Sequence, residues 1–416
     1  MTYIELFDKT GIENICTSLT HPPQRVILIG DKKKQLETCG AFYRRVLLDR
    51  GSEVEFLCRC VNKNDLQEVL RVLSELVETY DDCVFDLTGG EDILLFACGI
   101  LLERYQDKHL QMHRFNLRNN TVIDCDMDGR TVYEGSMPQL SVEENIRIYG
   151  GEVVYADERP GTTLHWELTD AFVEDVDYMW EVCRPDVRRW NTQMGVLMVA
   201  EQFRVPEDDS LTLQVPLEYL KERLQQIGAA YIFDTAILGA LYQGGLIDIF
   251  EGESILSVVY KDEQVKRCLT KAGQVLELKM YLAALRAQEK DGAYTYNDVK
   301  TGVYIDWDGA VQTESGRADT VNEIDVLLMH GAVPVFVSCK NGFVDMDELY
   351  KLDTVADRFG GQYAKKVLVA TALEQDSLFA AVLRQRAREM NIRLIEDVQD
   401  MDDTELQRIV RSFWNV

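Results

Sequence analysis

Three times after Arg25, a short apolar run passes through a polar turn into a stretch with apolar residues at helical spacing, and no other feature limits the fold as much. Arg25-Val26-Ile27-Leu28-Ile29-Gly30 leads into Asp31-Lys32-Lys33-Lys34 and a helical stretch from Leu36 to Asp49. Glu53 to Cys58 precedes a helix from about Leu66 to Tyr80, and Cys83-Val84-Phe85-Asp86-Leu87 runs into Thr88-Gly89-Gly90-Glu91-Asp92 and another apolar helix. Strands and helices alternating through short connections predict a parallel, doubly wound α/β sheet. Such sheets bind ligands outside the carboxyl ends of their strands, where Gly30, Asp31 and Lys32 lie together with Thr88, Gly89, Gly90, Glu91 and Asp92. A Gly-Gly turn lets backbone approach a ligand closely and aims helix N-terminal N–H groups at a phosphate. The same turn also serves as plain strand-to-helix punctuation, with Glu91 and Asp92 complementing the helix dipole. It is neither a Walker A nor a GxGxxG pattern, which disfavours a nucleoside triphosphate or a dinucleotide.

Near the other end, Asn322-Glu323-Ile324-Asp325-Val326-Leu327-Leu328 and Val335-Phe336-Val337-Ser338-Cys339-Lys340 read as two strands of a hairpin. If Met329 and Pro334 close a four-residue loop, Asp325 lies opposite Ser338 and Lys340 falls on that same face. Charged groups on one side of apolar strands are costly to bury without a partner or a metal, although a strand-edge ion pair gives the same pattern. Upstream, Leu269 to Leu282 has helical spacing with Glu277 among its apolar residues. Asp306 and Glu323 are lesser candidates; Glu323 shares the strand parity of Asp325 but also reads as a solvated edge carboxylate.

A helix acid, then a strand Asp, then a strand Lys, with Gly302 to Trp307 as a first strand, resembles the restriction-endonuclease-like PD-(D/E)xK nuclease core over roughly the last 150 residues. The resemblance implies Glu277, Asp325 and Lys340 as catalytic residues. It also implies a magnesium or manganese ion held by Glu277, Asp325 and the backbone carbonyl of Cys339, since hard oxygen ligands favour those ions over zinc. Lys340 would orient or deprotonate the attacking water. Ser338 departs from the pattern by standing where a second acid is usual. Phe85-Asp86-Leu87-Thr88-Gly89-Gly90 is similar to the ligand loop of CARF domains, the Rossmann-like sensors of cyclic oligoadenylates, over about the first 135 residues. The two together resemble the CRISPR-associated ancillary nucleases. That implies a homodimer holding a cyclic oligoadenylate, with cyclic tetra-adenylate the expected ring, across its two-fold axis.

Between these parts, Gly150-Gly151, Glu158 to Gly161 and Arg204 to Ser210 read as linker or break. Helical spacing from Leu217 to Ile227 and from Thr235 to Leu241, a Gly244-Gly245 corner and the strand-like Ser254 to Tyr260 suggest a winged-helix-like module. Few basic residues fall on its second helix, which favours a spacer or dimerisation role over DNA binding. The domain reading is therefore 1–140 sensor, 141–265 linker and winged-helix-like module, and 266–416 nuclease. A net charge of −27 excludes broad electrostatic capture of nucleic acid, single- or double-stranded. A nuclease must then concentrate its basic residues locally, with Arg384, Arg386, Arg388 and Arg393 as candidates or simply a solvated helix face. No apolar run reaches the roughly 20 residues of a membrane span, and the cysteines form no CxxC pairs, so no membrane and a reducing cytoplasm are expected. Two rival functions remain: a catalytically silent regulator gating DNA binding, and an enzyme that degrades its own cyclic nucleotide.

Overall fold

The computed structural model describes residues 1–116, 119–155, 162–163, 165–204, 210–310, 321–371, 373 and 378–415. The segments Glu158 to Gly161 and Val205 to Asp209, read above as linker and break, lie outside them. Among the described residues the strands form three sheets.

The first sheet comprises β1 (Thr2–Leu6), β2 (Arg25–Gly30), β3 (Glu55–Cys60), β4 (Cys83–Asp86), β5 (Gln111–Asn116), β6 (Thr121–Cys125) and β7 (Thr131–Ser136), in the order β3-β2-β1-β4-β5-β6-β7. The pairs from β3 through β5 are parallel, and β6 and β7 extend the sheet antiparallel. Helix Leu66–Thr79 starts where the Asp65 carboxylate accepts from the backbone of Gln67 and Glu68, and buries Val69, Val72, Leu73, Leu76 and Val77 against one face. The central strand β1 escaped the sequence reading, which took Arg25–Gly30 as first. Its place between β2 and β4 moves the switch point of the sheet to the loops after β1 and β4, one strand away from Gly30.

Gly150-Gly151 is a packed turn and not a linker. A Cβ on Gly151 would stand 2.5 Å from the Phe359 ring and 2.8 Å from the Asp306 carbonyl. The turn delivers helix Val142–Ile148 into β8 (Glu152–Val153), which joins the third sheet. The second sheet, β9 (Thr212–Pro216), β10 (Ile247–Glu251) and β11 (Ile255–Tyr260), has the order β10-β11-β9. Helices Val187–Glu201, Leu217–Gln226 and Thr235–Gln243 accompany it, with Gly245 at φ +68° turning the chain into β10. This is the helix, strand, two helices and ribbon of a winged-helix arrangement.

The third sheet adds β12 (Asp298–Asp306), β13 (Val321–His330), β14 (Val333–Lys340), β15 (Lys365–Ala370) and β16 (Ile392–Ile395) in the order β16-β15-β14-β13-β12-β8. The pairs from β8 to β14 are antiparallel, and β14, β15 and β16 run parallel. The β13–β14 hairpin pairs Met329 with Pro334, as the spacing predicts, but adds a His330–Val333 pair, so the loop is the two residues Gly331-Ala332 rather than four. Gly331 supplies the positive φ, +62°, that such short loops require. Helix Gln274–Arg286 shares one apolar core with β13, β14 and the winged-helix part. Helix Met346–Gly360 shares another with the opposite face and the first sheet.

Candidate functional site

At the open end of the β13–β14 hairpin the regular ladder stops at Val326–Val337, and Asp325 sits in the fork where the strands part. Its Oδ2 accepts from the backbone N–H of Cys339 at 2.6 Å and from the Ser338 hydroxyl at 3.2 Å. On its other side β12 pairs through Thr301–Val326 and Val303–Ile324, leaving Gly302, at φ +58°, across from Asp325. The strand kinks there: Val326 and Leu328 belong to the core of helix Gln274–Arg286, whereas Ile324 packs in the other core with Val303 and Ile305.

Glu277, in the first turn of helix Gln274–Arg286, brings a carboxylate to the same place. Oxygens of Glu277, Glu323 and Asp325 lie within 4.8 Å of one another. Three close acids repel, so the arrangement needs cations. Lys271 Nζ lies 3.1 Å from Glu277 Oε2 and 2.8 Å from Glu323 Oε1, and Gln274 Nε2 donates to Glu277 Oε2 at 3.0 Å. Burial, reinforced by the charge of Asp325, still raises the Glu277 carboxyl to about 7. Burial also raises Asp325, against the pull of Lys340, the Cys339 N–H and Lys271.

Lys340 points along the other wall. Burial works against its charge, but Asp325 and Glu348 outweigh that and leave it raised. Its Nζ is 2.7 Å from Glu348 Oε2, and Lys351 Nζ is 2.8 Å from Glu348 Oε1. Asn322, Glu323, Asp325, Ser338, Lys340 and Glu348 thus line a small cleft of about 70 Å³. Asp306 is buried elsewhere, its carboxylate capping the N–H of Asp308. Ser338 lines the cleft with its hydroxyl donating to Asp325.

A hard divalent cation fits this donor set: three carboxylates from two elements converge, in a pocket already rich in negative charge. Glu323 belongs to the set more clearly than its parity alone suggested. Sequence reasoning missed Lys271, Gln274 and Glu348. The polar Thr270 to Gln274 turn opening an otherwise apolar helix was the available signal for the first two. Glu348 carries only the i,i+3 spacing to Lys351 of an ordinary surface pair. The four arginines are tied into local contacts: Arg384 pairs with Glu396, Arg386 with Glu389, Arg388 donates to the Arg384 carbonyl, and Arg393 bonds Ser412.

The second locus is the carboxyl end of the first sheet. Gly90 adopts φ +96° and leaves only 2.6 Å between a Cβ and the Leu6 side chain, so the turn lies directly on the exit of β1. Gly89 faces Asp8, before the helical turn Gly11–Asn14, and Glu13 within it. Thr88 is fixed by its N–H to Asp86 and by its Oγ1 accepting from Phe115. Asp92 opens helix Asp92–Arg104 with Glu91 as its N-cap. Lys63, unread in the sequence, bridges Asp31 at 3.5 Å and Glu91 at 2.8 Å, so the Gly30 to Lys32 turn borders the Thr88 to Asp92 turn at one rim.

Residues 262–414 match the family model described as Card1-like, endonuclease domain. A comparison with curated proteins gives no match. Among solved structures, protein VC1899 from Vibrio cholerae aligns over 100% of this chain and 98% of its own, with TM-score 0.72 and 16% identity. Can2 from Sulfobacillus thermosulfidooxidans, in complex with cyclic tetra-adenylate, aligns over 100% and 97%, with TM-score 0.65 and 16% identity. At that identity the likeness is one of fold, and it extends from end to end. The acid cluster lies inside the segment that matches the Card1-like endonuclease model, and on that match the chain is a nuclease.

Proposed function

We propose that the chain is a metal-dependent nuclease of type III CRISPR antiviral defence, switched on by a cyclic oligoadenylate bound at its first sheet. The observation that carries this is the convergence of Glu277, Glu323 and Asp325, with Lys340 on the adjoining wall, inside the endonuclease segment. The whole-chain fold likeness to Can2, solved with cyclic tetra-adenylate, supports the sensor half. The units proposed are a sensor over 1–140, a linker and winged-helix-like module over 141–265, and a nuclease over 266–416.

Magnesium or manganese held by Glu277, Glu323 and Asp325, with the Cys339 carbonyl as a further proposed ligand, supplies the charge that a phosphodiester needs to accept a nucleophile. The chain's own residues do the rest. Asp325, fixed by two donors, holds its carboxylate in place without side-chain freedom. Lys340, kept charged by Asp325 and Glu348, orients the attacking water and offsets charge on the phosphate. Ser338 offers that water a hydrogen bond but no charge. Ser338→Asp is therefore expected to lower the thermal midpoint in chelator, since it adds an acid beside Asp325, and to tighten Mn2+ binding in calorimetry. Unchanged Mn2+ affinity would exclude position 338 from the metal's surroundings.

At the sensor, a symmetric ring calls for two copies of the same loops, so a homodimer is expected in light scattering. Gly90→Val should abolish binding of cyclic tetra-adenylate, because the new side chain meets Leu6 and the positive φ penalises it. A variant that stays folded yet binds normally in calorimetry removes this turn from the site. The rival silent regulator needs DNA binding by the winged-helix part. Its last helix, Thr235–Gln243, contains no charged residue, so it lacks the lysines and arginines that neutralise phosphate. Cleavage of labelled single- and double-stranded DNA and RNA, with and without cyclic tetra-adenylate and Mn2+, tests the reading. No cleavage in any combination refutes the nuclease, and ligand consumption in its place supports the self-degrading sensor.

A further inference from the structure

Lys271 pairs with two of the three clustered acids, Glu277 and Glu323. It lies in the turn between helices Glu263–Leu269 and Gln274–Arg286. Its side chain is 42% exposed, while those of Glu277 and Glu323 are 4% and 29% exposed. The Lys271 side chain is thus more exposed than either acid it pairs with. Lys340, by contrast, is held by Glu348 at 2.7 Å and has a fixed place.

We infer that Lys271 is a displaceable counter-cation, competing with the divalent ion for the carboxylates of Glu277 and Glu323 and swinging out toward the substrate phosphate when the ion binds. The inference rests on the metal-dependent reading above. A divalent ion binds carboxylate oxygens at about 2.0–2.6 Å. An ammonium within about 3 Å of two of the same carboxylates would face a doubly charged neighbour across a few ångströms, where repulsion is strong even at a protein's effective dielectric. The long lysine stem lets the ammonium leave without backbone movement. Gln274 remains on Glu277 Oε2, so that carboxylate stays oriented as the lysine departs. Released, Lys271 adds a mobile positive charge beside the acid cluster. In a chain of net charge −27 such a local cation helps to admit a polyanion.

The test uses the full chain and Mn2+ alone. Lys271→Met keeps the stem and removes the charge, and should tighten Mn2+ binding in calorimetry by about tenfold or more. Lys271→Arg keeps the charge and should bind Mn2+ within about threefold of wild type. Where the Met variant is unstable, amine acetylation of the wild type read by mass spectrometry gives the same answer, with Lys271 modification rising severalfold on adding Mn2+. Substrate affinity of Lys271→Met, measured in Ca2+ to prevent turnover, should fall by severalfold. Equal or weaker Mn2+ binding in the Met variant, or acetylation indifferent to Mn2+, overturns this inference alone. No Mn2+ binding by any of the proteins overturns it together with the metal-dependent reading.

Discussion

Asp325→Asn and Lys340→Ala are each expected to lower cleavage by on the order of 10²-fold or more, while the affinity for cyclic tetra-adenylate stays near that of wild type. Asn is the cleaner replacement at 325. Its amide oxygen can still accept the Cys339 N–H that closes the strand fork, so the loss reports the missing charge rather than an orphaned backbone donor. Alanine there would leave that buried N–H unpaired, at a cost of about 1–3 kcal/mol to the fold. Lys340→Ala releases Glu348, which keeps Lys351 as a partner and so remains tolerable. Glu277→Ala should act in the same direction but recover partly at high Mn2+, because Glu323 and Asp325 still offer two carboxylates. Single-turnover rates across a metal titration are the measurement. Wild-type cleavage by Asp325→Asn at every Mn2+ concentration would place the active site elsewhere and bring forward the silent-regulator reading.

The repeating strand-then-helix pattern and the hairpin were legible because each rests on local regularity. Val26 to Ile29 is a fully buried strand and reads as one, and the loop closing near Met329 and Pro334 set the register even though it is one residue shorter on each side. What escaped was set by tertiary context. Strand β1 is Thr-Tyr-Ile-Glu-Leu, and two of its five residues are polar yet buried, Thr2 at 2% and Glu5 at 1% exposed. No apolar run announces such a strand. Glu5 is tolerated because it lies beside Asp86 on β4 and burial keeps its carboxyl protonated well above the usual range. Losing β1 from the reading also displaced the switch point by one strand. At the cleft, Glu323 was underrated because strand parity gives a face but not a neighbour. Its place beside Glu277 depends on a helix that the chain reaches only through the Gly273 turn and on the kink at Gly302. Lys271 and Glu348 carry no motif at all; only the fold tells them from surface charges.

Removing the contact between Glu13 and Tyr363 is expected to cut the stimulation of cleavage by cyclic tetra-adenylate about tenfold, with ligand affinity and unstimulated cleavage nearly unchanged. Glu13 lies between the Gly89 turn and the C-terminal part: its Oε2 lies 3.1 Å from where a Gly89 Cβ would stand, and its Oε1 accepts from Gln362 Nε2 at 2.8 Å and from the Tyr363 hydroxyl. Gln362 and Tyr363 directly follow helix Met346–Gly360, whose first turns carry Glu348 and Lys351 into the cleft. A helix of 15 residues is about 22 Å long and stiff along its axis, so a shift of the turn at one end reaches the Lys340–Glu348 pair at the other. Rigid connection alone is not coupling. The ligand must bind one arrangement of the Gly89 turn better than the other, and Glu13 must be placed differently in the two. A hydrogen bond to a carboxylate is worth about 1.5–3 kcal/mol, enough to account for a tenfold change in a two-state balance. Tyr363→Phe deletes one donor without altering the packing of the ring, and Glu13→Ala deletes the acceptor for both. Cleavage rates with and without saturating ligand, set beside calorimetric affinities, separate coupling from binding. Full stimulation in both variants would break the route through this helix and leave the ligand's effect to another path.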